Sequence, residues 1–189
     1  MAELVLFHHA LGLTSGCLSF ADALRAAGQV VHTLDLYDGE TFAELREGVG
    51  YAEQLGFDTI IERGRLAVES FPNEIVYAGF SLGVMPAQML AQTRPRAKGA
   101  LLLHSCVPTA HFGGGQWPQG VPLQIHTMDG DAWGDVDVAR ELAATIASAE
   151  LFLYPGNRHL FTDNSLPDYD EGATTLLKRR VFDFLDRIE

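Results

Sequence analysis

The segment that decides the fold of this chain is VYAGFSLGVMPA, residues 76–87. It contains a Gly-x-Ser-x-Gly pattern, from Gly79 to Gly83, at the point where a β-like apolar run meets a helix-like run. Two glycines around Ser81 permit a sharp strand-to-helix turn, which exposes the hydroxyl and leaves the next backbone N–H free. The pattern alone is a weak signal because the chain has 19 glycines. Its meaning depends on which residues follow the other strands.

Strand-like and helix-like segments alternate along the chain, which predicts one α/β domain over residues 1–189 with a parallel sheet between two layers of helices. The predicted strands are continuous apolar runs, as expected for strands covered on both faces. They are Leu4–His8, Val30–Leu36, Glu74–Phe80, Ala100–His104, Leu123–Met128 and Leu151–Tyr154. The predicted helices are Leu18–Ala27, Phe42–Leu55, Thr59–Ser70, Leu82–Gln92, Val136–Ser148 and Ala173–Ile188. We expect Gly28 to end the first helix and Asp135 to cap the fifth.

Polar residues that could carry chemistry follow several predicted strands. In an open parallel sheet, ligands bind outside the carboxyl ends of the strands. Ser81 follows the third strand, Asp129 and Asp131 follow the fifth, and His159 follows the sixth. His104 ends the fourth strand, but the order serine, aspartate, histidine favours His159 because α/β-hydrolases use that order. The positions after the strands do not decide whether Asp129 or Asp131 is the acid.

These residue types fit nucleophilic catalysis by serine. The Ser81 hydroxyl is a weak nucleophile at neutral pH, so a histidine such as His159 must take its proton during attack. A carboxylate then orients the imidazole and stabilises its protonated form. The oxyanion needs fixed donors. We expect these to be the backbone N–H of Leu82, just after the nucleophile, and that of Leu11, in the loop after the first strand.

Five segments in this order carry a family resemblance, and they cover nearly the whole chain. They are HALGL (9–13), AGQVVHTLDLY (27–37), GFSLG (79–83), HTMDGD (126–131) and YPGNRHLF (154–161). With them the chain resembles the dienelactone hydrolase family, a compact branch of the α/β-hydrolases. The resemblance implies strand order 2-1-3-4-5-6, no amino-terminal antiparallel hairpin and no lid domain. It also favours Asp131 over Asp129, because Asp131 follows His126 at the family's spacing.

Three departures from the family's namesake affect the expected substrate. The namesake has a cysteine nucleophile where this chain has Ser81, and a glutamate before the oxyanion loop where this chain has His9. It also has a substrate-binding arginine after the catalytic histidine, whereas Asp163 lies there in this chain. An acid at that place would repel a substrate carboxylate. Dienelactone itself is therefore expected to be a poor substrate.

Four residues near the predicted strand ends are candidates for the wall of a substrate pocket: His9, Tyr37, Cys106 and Trp133. Three of them, His9, Tyr37 and Cys106, have a structural alternative. His8 and His9 are equally well explained by hydrogen bonds to the backbone, and Tyr37 by packing in the core. Cys106 is more simply a buried, inert thiol.

The resemblance implies a serine hydrolase that cleaves a small ester, lactone or thioester through an acyl-enzyme. It implies no cofactor and no metal ion, and the expected partner is the small-molecule substrate, with the protein a monomer or homodimer. The alternative is a non-catalytic protein of the same fold that binds a small molecule. This alternative predicts a formed pocket without turnover of any ester.

Composition and charge exclude other classes. Apolar residues make up 47% of the chain and charged residues 20%, as in globular proteins. The formal net charge of −12 argues against nucleic acid or an anionic membrane surface as a partner. Cys17 and Cys106 form no CxxC pattern, so neither a disulfide framework nor a thiolate zinc site is indicated. We see no signal-like start or membrane segment and expect a cytoplasmic location.

Overall fold

Six strands form one parallel sheet in the computed structural model, which describes residues 1–188. The strands are β1 Glu3–Phe7, β2 Val30–Leu34, β3 Val76–Phe80, β4 Gly99–Leu103, β5 Leu123–Met128 and β6 Ala149–Tyr154. Their order in the sheet is β2-β1-β3-β4-β5-β6, with every neighbouring pair parallel. The predicted fold class and strand order are therefore confirmed. The carboxyl ends of β3, β5 and β6 lie at the same edge.

Helices cover both faces of this sheet. They are α1 Ser15–Ala26, α2 Leu45–Leu55, α3 Phe57–Ala67, α4 Val84–Thr93, α5 Val136–Thr145 and α6 Glu171–Asp186. One buried cluster packs α1 and α6 against the sheet, and a second packs α2, α3, α4 and α5 against the other face. All five residues of β3 are buried, as are those of β4. Burial on both faces explains why these strands read as continuous apolar runs in the sequence.

Several predicted helix boundaries are wrong, and local contacts explain the largest shifts. The second helix begins at Leu45 instead of Phe42, because the Phe42 N–H donates a hydrogen bond to the Leu11 carbonyl outside any helix (3.0 Å). Gly56, with φ of 86°, separates α2 from α3. The predicted stop at Gly28 is confirmed by its left-handed backbone, with φ of 90°.

The predicted cap of the fifth helix is wrong in its chemistry. Asp135 occupies the N-cap position of α5, but its side chain caps no helical N–H. Its backbone is left-handed, with φ of 49° and ψ of 41°, and its carboxylate accepts a hydrogen bond from the Ser105 hydroxyl instead (2.6 Å). The side chain is thus directed towards the loop that follows β4.

The helices of this fold are too short or too polar for a membrane. Among residues 1–188, none combines the length and the apolar character that a membrane span requires.

Candidate active site

The turn between β3 and α4 carries Ser81 in a left-handed conformation, with φ of 47°. The glycines on either side make this turn possible. A Cβ atom on Gly79 would collide with the carbonyl oxygen of Gly83, and one on Gly83 would collide with the carbonyl oxygens of Phe7 and His8 in and after β1. Both positions therefore require glycine for steric reasons. The close backbone contacts that these glycines allow hold Ser81 at the edge of the sheet.

Replacing Gly79 with alanine is expected to destabilise the fold. The added methyl group meets backbone atoms, which cannot move aside as a flexible side chain would, so we expect a loss of about 3 kcal/mol in the free energy of unfolding. Gly50→Ala is the matched control: Gly50 lies exposed in α2 with open space around it, and alanine there should be neutral or stabilising by up to about 1 kcal/mol. Urea unfolding measures both. Equal stability of the two variants would contradict the steric argument.

Two short hydrogen bonds join Ser81, His159 and Asp131. The Ser81 Oγ lies 2.7 Å from His159 Nε2, and His159 Nδ1 lies 2.7 Å from Asp131 Oδ2. A carboxylate can only accept, so the proton on the imidazole sits on Nδ1, and Nε2 is left to accept the serine proton. The other oxygen of Asp131 accepts the backbone N–H of Trp133 at 2.9 Å, which fixes the orientation of the carboxylate. Both His159 and Asp131 are buried.

Asp129, the alternative acid, has a different set of contacts. Its Oδ1 accepts the backbone N–H of Gly156 (3.1 Å), which links the loops after β5 and β6. Of the two aspartates, only Asp131 is hydrogen-bonded to His159 in the described part of the chain. The geometry therefore favours Asp131 as the partner of the imidazole.

The structure places Leu11 differently from our expectation. Its backbone N–H donates to His9 Nδ1 at 3.2 Å, so it is not available to a substrate oxyanion. The turn responsible is closed by a hydrogen bond from the Gly12 N–H to the His9 carbonyl (3.0 Å). Ala10, one residue earlier, lies instead beside Ser81 and Leu82 in the wall of the cavity described next. Its N–H has no hydrogen-bond partner among residues 1–188.

A cavity of about 240 Å³, here called the Ser81 cavity, opens beside Ser81 and His159. Trp133 lines it, as predicted from the sequence, and most of the remaining wall is apolar. The main apolar contributors are Val49, Ala52, Phe57, Leu82, Met85 and Val107. The cavity thus offers room for a small apolar group next to the serine hydroxyl.

The structure places the other three residues predicted for the pocket, His9, Tyr37 and Cys106, outside the lining of the Ser81 cavity, and all three are buried. Tyr37 is fully buried, and its hydroxyl donates to the Gly48 carbonyl at 3.2 Å. Cys106 is also buried in the core, where burial, with a smaller effect of nearby Asp135, raises the pKa of its thiol to about 12. His9 is buried as well, at the start of the loop that follows β1.

His8, next to His9, is satisfied by the backbone. Its Nε2 accepts the Leu36 N–H at 2.9 Å, and its Nδ1 donates to the His9 carbonyl at 2.7 Å. Burial lowers the pKa of His8 to about 4, so the ring is neutral in the folded protein near neutral pH. Its role is to join the end of β1 to the segment after β2.

His9 and Asp163 form a buried pair that sequence reasoning missed. His9 Nε2 donates to Asp163 Oδ2 at 2.8 Å, and the Thr14 hydroxyl donates to the same oxygen at 2.5 Å. The other oxygen accepts both the N–H and the hydroxyl of Ser165. Asp163 is only 3% exposed and does not line the Ser81 cavity. The structure therefore does not place Asp163 where it would meet a substrate carboxylate in this cavity.

His9, Asp163 and Cys17 are also the candidate metal ligands among the described residues. Their ligand atoms lie within 4.8 Å of one another, and all three residues are buried. The nitrogen and oxygen concerned already hydrogen-bond directly to each other, and the carboxylate accepts further bonds from Thr14 and Ser165. These bonds account for the cluster as a structural link between the loop after β1 and the loop after β6.

Asp163→Asn should show how much the link between His9 and Asp163 contributes to the free energy of unfolding. Burial raises the pKa of Asp163, but hydrogen bonds from His9, Ser165 and Thr14 outweigh it and lower the pKa from 3.8 to about 2. The stabilisation is therefore complete above the unfolded-state pKa of about 4 and is lost as the pH falls from there towards 2. Near neutral pH we expect the variant to lose about 3 kcal/mol in the free energy of unfolding.

Chemical unfolding across this pH range, with Asp168→Asn as control, measures the effect. Asp168 is an exposed acid five residues further along the same loop, and its replacement should leave stability within about 0.5 kcal/mol. A deficit for Asp163→Asn that does not shrink on acidification would show that the carboxylate charge is not what stabilises the link.

The sheet order, the half-buried serine at the β3 turn and the acid and histidine beyond β5 and β6 together define an α/β-hydrolase. A family comparison then matches the model of the dienelactone hydrolase family over residues 2–189. The chain belongs to the dienelactone hydrolase family. Membership of this family supports a hydrolase, as its sequence resemblance implied.

Solved structures share this fold at low sequence identity. A dienelactone hydrolase-like promiscuous phosphotriesterase from metagenomic libraries has a TM-score of 0.76 and 17% identity, covering 100% of this chain and 87% of its own. The dienelactone hydrolase of Anabaena variabilis has a TM-score of 0.67 and 17% identity, covering 96% and 84%. Mouse alpha/beta hydrolase domain-containing protein 10 has a TM-score of 0.69 and 11% identity, covering 99% and 90%. A search of curated proteins found no match.

Proposed function

We propose that this protein is a serine hydrolase that cleaves small esters, lactones or thioesters through an acyl-enzyme. The observation that carries the proposal is the pair of 2.7 Å hydrogen bonds that link Ser81 to His159 and His159 to Asp131, beside an apolar cavity. A nucleophile, a base and an orienting acid within hydrogen-bond reach are the arrangement that acyl transfer requires.

In the first half of the reaction, the Ser81 oxygen attacks the substrate carbonyl carbon while its proton moves to His159 Nε2. The tetrahedral intermediate then collapses, the bond to the alcohol or thiol breaks, and the proton on Nε2 passes to that leaving group. Asp131 stabilises the imidazolium that exists between these two transfers. The product of this half-reaction is an ester between Ser81 and the acyl group.

In the second half, a water molecule attacks the acyl carbon and gives its proton to His159 Nε2. The acyl–oxygen bond to Ser81 breaks, the serine oxygen regains the proton, and a carboxylic acid leaves. We assign the oxyanion to the backbone N–H groups of Leu82 and Ala10, which lie in the wall of the same cavity. These steps need neither a cofactor nor a metal ion.

The cavity volume supports a small substrate. About 240 Å³ lies below the range of roughly 300–1,000 Å³ typical of sites for drug-sized ligands. Short acyl groups such as acetyl to butyryl should therefore be accepted better than long ones. The apolar wall favours an uncharged acyl group.

A fluorophosphonate probe tests the proposal directly. We expect one covalent adduct per chain, located by mass spectrometry on the peptide that contains Ser81. Addition of p-nitrophenyl acetate before the probe should slow labelling, because acylation and phosphonylation compete for the same oxygen. A non-catalytic binding protein of this fold, the alternative function, would give no adduct and no p-nitrophenol release. An adduct on another serine would reject Ser81 as the nucleophile.

A further inference from the structure

A carboxylate with no cationic partner among residues 1–188 lines the Ser81 cavity. Asp135 lines the cavity together with Ser81 and His159, and its side chain is exposed to solvent. One of its oxygens accepts the Ser105 hydroxyl at 2.6 Å, and the other has no hydrogen-bond donor in the described part of the chain. Among residues 1–188, no lysine or arginine lines this cavity, and none pairs with Asp135.

The backbone at this position is unusual for a helix start. An aspartate at an N-cap normally accepts an N–H from the first turn of its helix. Asp135 instead adopts a left-handed conformation and turns its carboxylate to Ser105 at the cavity. Sparsely populated backbone conformations of this kind cost free energy and occur preferentially at ligand sites. The Asp135 side chain thus caps no N–H of α5, and its hydrogen bond with Ser105 holds the carboxylate at the Ser81 cavity instead.

Two exposed aromatic side chains line the same cavity. Trp133 is 48% exposed and Phe57 is 40% exposed. The Trp133 ring lies 6.3 Å from the His159 ring, between centroids. An aromatic face attracts a cation through its quadrupole, and tryptophan does so most strongly. A carboxylate and an indole, both sources of negative potential, therefore line the same cavity.

We propose that the substrate carries an ammonium group in its alcohol or thiol part, and that Asp135 and Trp133 bind this group. The inference rests on the proposed hydrolase function and adds the class of substrate. His159 gives its proton to the leaving group, so the leaving group must lie on the His159 side, next to Trp133, and Asp135 lines the same cavity. The formal net charge of −12 also attracts cations during encounter.

Three thioacetates with one acyl group and different charges test this assignment. They are acetylthiocholine, its neutral isostere S-(3,3-dimethylbutyl) thioacetate, and the anionic S-acetyl-3-mercaptopropionate, with thiol release followed by a colorimetric thiol reagent. We expect kcat/KM to be about 10-fold higher for the cation than for the neutral isostere, and lower again for the anion.

Asp135→Asn should reduce the cation-to-neutral ratio about 5-fold, because it removes the charge and keeps the size of the side chain. Asp137→Asn is the matched control. Asp137 is 98% exposed, lies two residues further along and does not line the Ser81 cavity. It removes the same formal charge from the protein, so its ratio should stay within about 2-fold of the wild type. An equal effect of both variants would overturn the proposed subsite, because it would show that the net charge of the whole protein causes the preference for the cation.

The two proposals fail in different ways. If the neutral thioacetate is hydrolysed and the cation shows no preference, the hydrolase stands and the ammonium subsite is wrong. If no ester or thioester is hydrolysed, a binding measurement tests the ammonium subsite instead. Tryptophan fluorescence should then show that Ser81→Ala binds choline at least about 5-fold more tightly than 3,3-dimethylbutan-1-ol. Equal binding of these two alcohols would overturn it.

Discussion

Ser81→Ala is expected to lower kcat/KM for p-nitrophenyl acetate at least about 10³-fold. The variant lacks the oxygen that becomes acylated, so the reaction can proceed only by direct attack of water in the cavity. A factor of 10³ corresponds to about 4 kcal/mol of lost transition-state stabilisation. The backbone donors and the apolar cavity persist, so some residual rate above that in buffer is expected.

The kinetic comparison uses Ser70→Ala as its control. Ser70 is exposed and lies in the segment after α3. Its replacement should leave kcat/KM within about 2-fold of the wild type, since surface substitutions rarely change more. Circular dichroism and urea unfolding check that Ser81→Ala retains the fold. A folded Ser81→Ala that keeps more than a tenth of the wild-type activity would exclude the acyl-enzyme on Ser81.

Asp131→Asn should lower kcat by about 10³- to 10⁴-fold while leaving the fold intact. The asparagine keeps an oxygen that can accept the Trp133 N–H, but its amide nitrogen then faces His159 Nδ1. An amide N–H donates, so the imidazole proton moves to Nε2. In that tautomer Nε2 cannot accept the proton of Ser81.

Asp129→Asn is the matched variant for this prediction. The Asp129 carboxylate accepts the Gly156 N–H, and asparagine can accept the same bond with its oxygen. We expect kcat within about 3-fold of the wild type, measured with p-nitrophenyl acetate across the neutral pH range. A larger loss of kcat in Asp129→Asn than in Asp131→Asn would contradict the proposal, because it would assign the role of the orienting acid to Asp129.

The sheet and the hydrogen-bonded set of Ser81, Asp131 and His159 could be predicted, because the strands and the positions of these three residues after them are visible in the local sequence. Continuous apolar runs identify strands buried on both faces, and glycines next to Ser81 identify a turn with no room for a Cβ atom. The carboxyl ends of parallel strands then meet at one edge, wherever those strands lie in the chain.

The residues that sequence reasoning misplaced depend on side-chain contacts, some within one loop and others between distant loops. Leu11 differs from Ala10 only in which of two consecutive N–H groups turns inwards, and the His9 ring decides this by accepting the Leu11 N–H. Asp163 looked like a pocket residue because its partner, His9, lies 154 residues away. His104 is buried behind the site, with Nε2 on Thr162, a pairing across 58 residues that no local pattern marks.

The link between His9 and Asp163 sets the order in which activity can arise during synthesis of the chain. The nucleophile turn needs only β1, β3 and α4, which the ribosome delivers early, but His159 and Asp163 emerge many residues later. Contacts this distant in sequence close after local ones have formed. If Ser81 is the nucleophile, as proposed, a partly synthesised chain carries it in an unreactive form, because His159 and the Asp163 partner of His9 are still missing. Ester hydrolysis during refolding would consequently report the docking of the β6 loop, after most of the sheet has already formed.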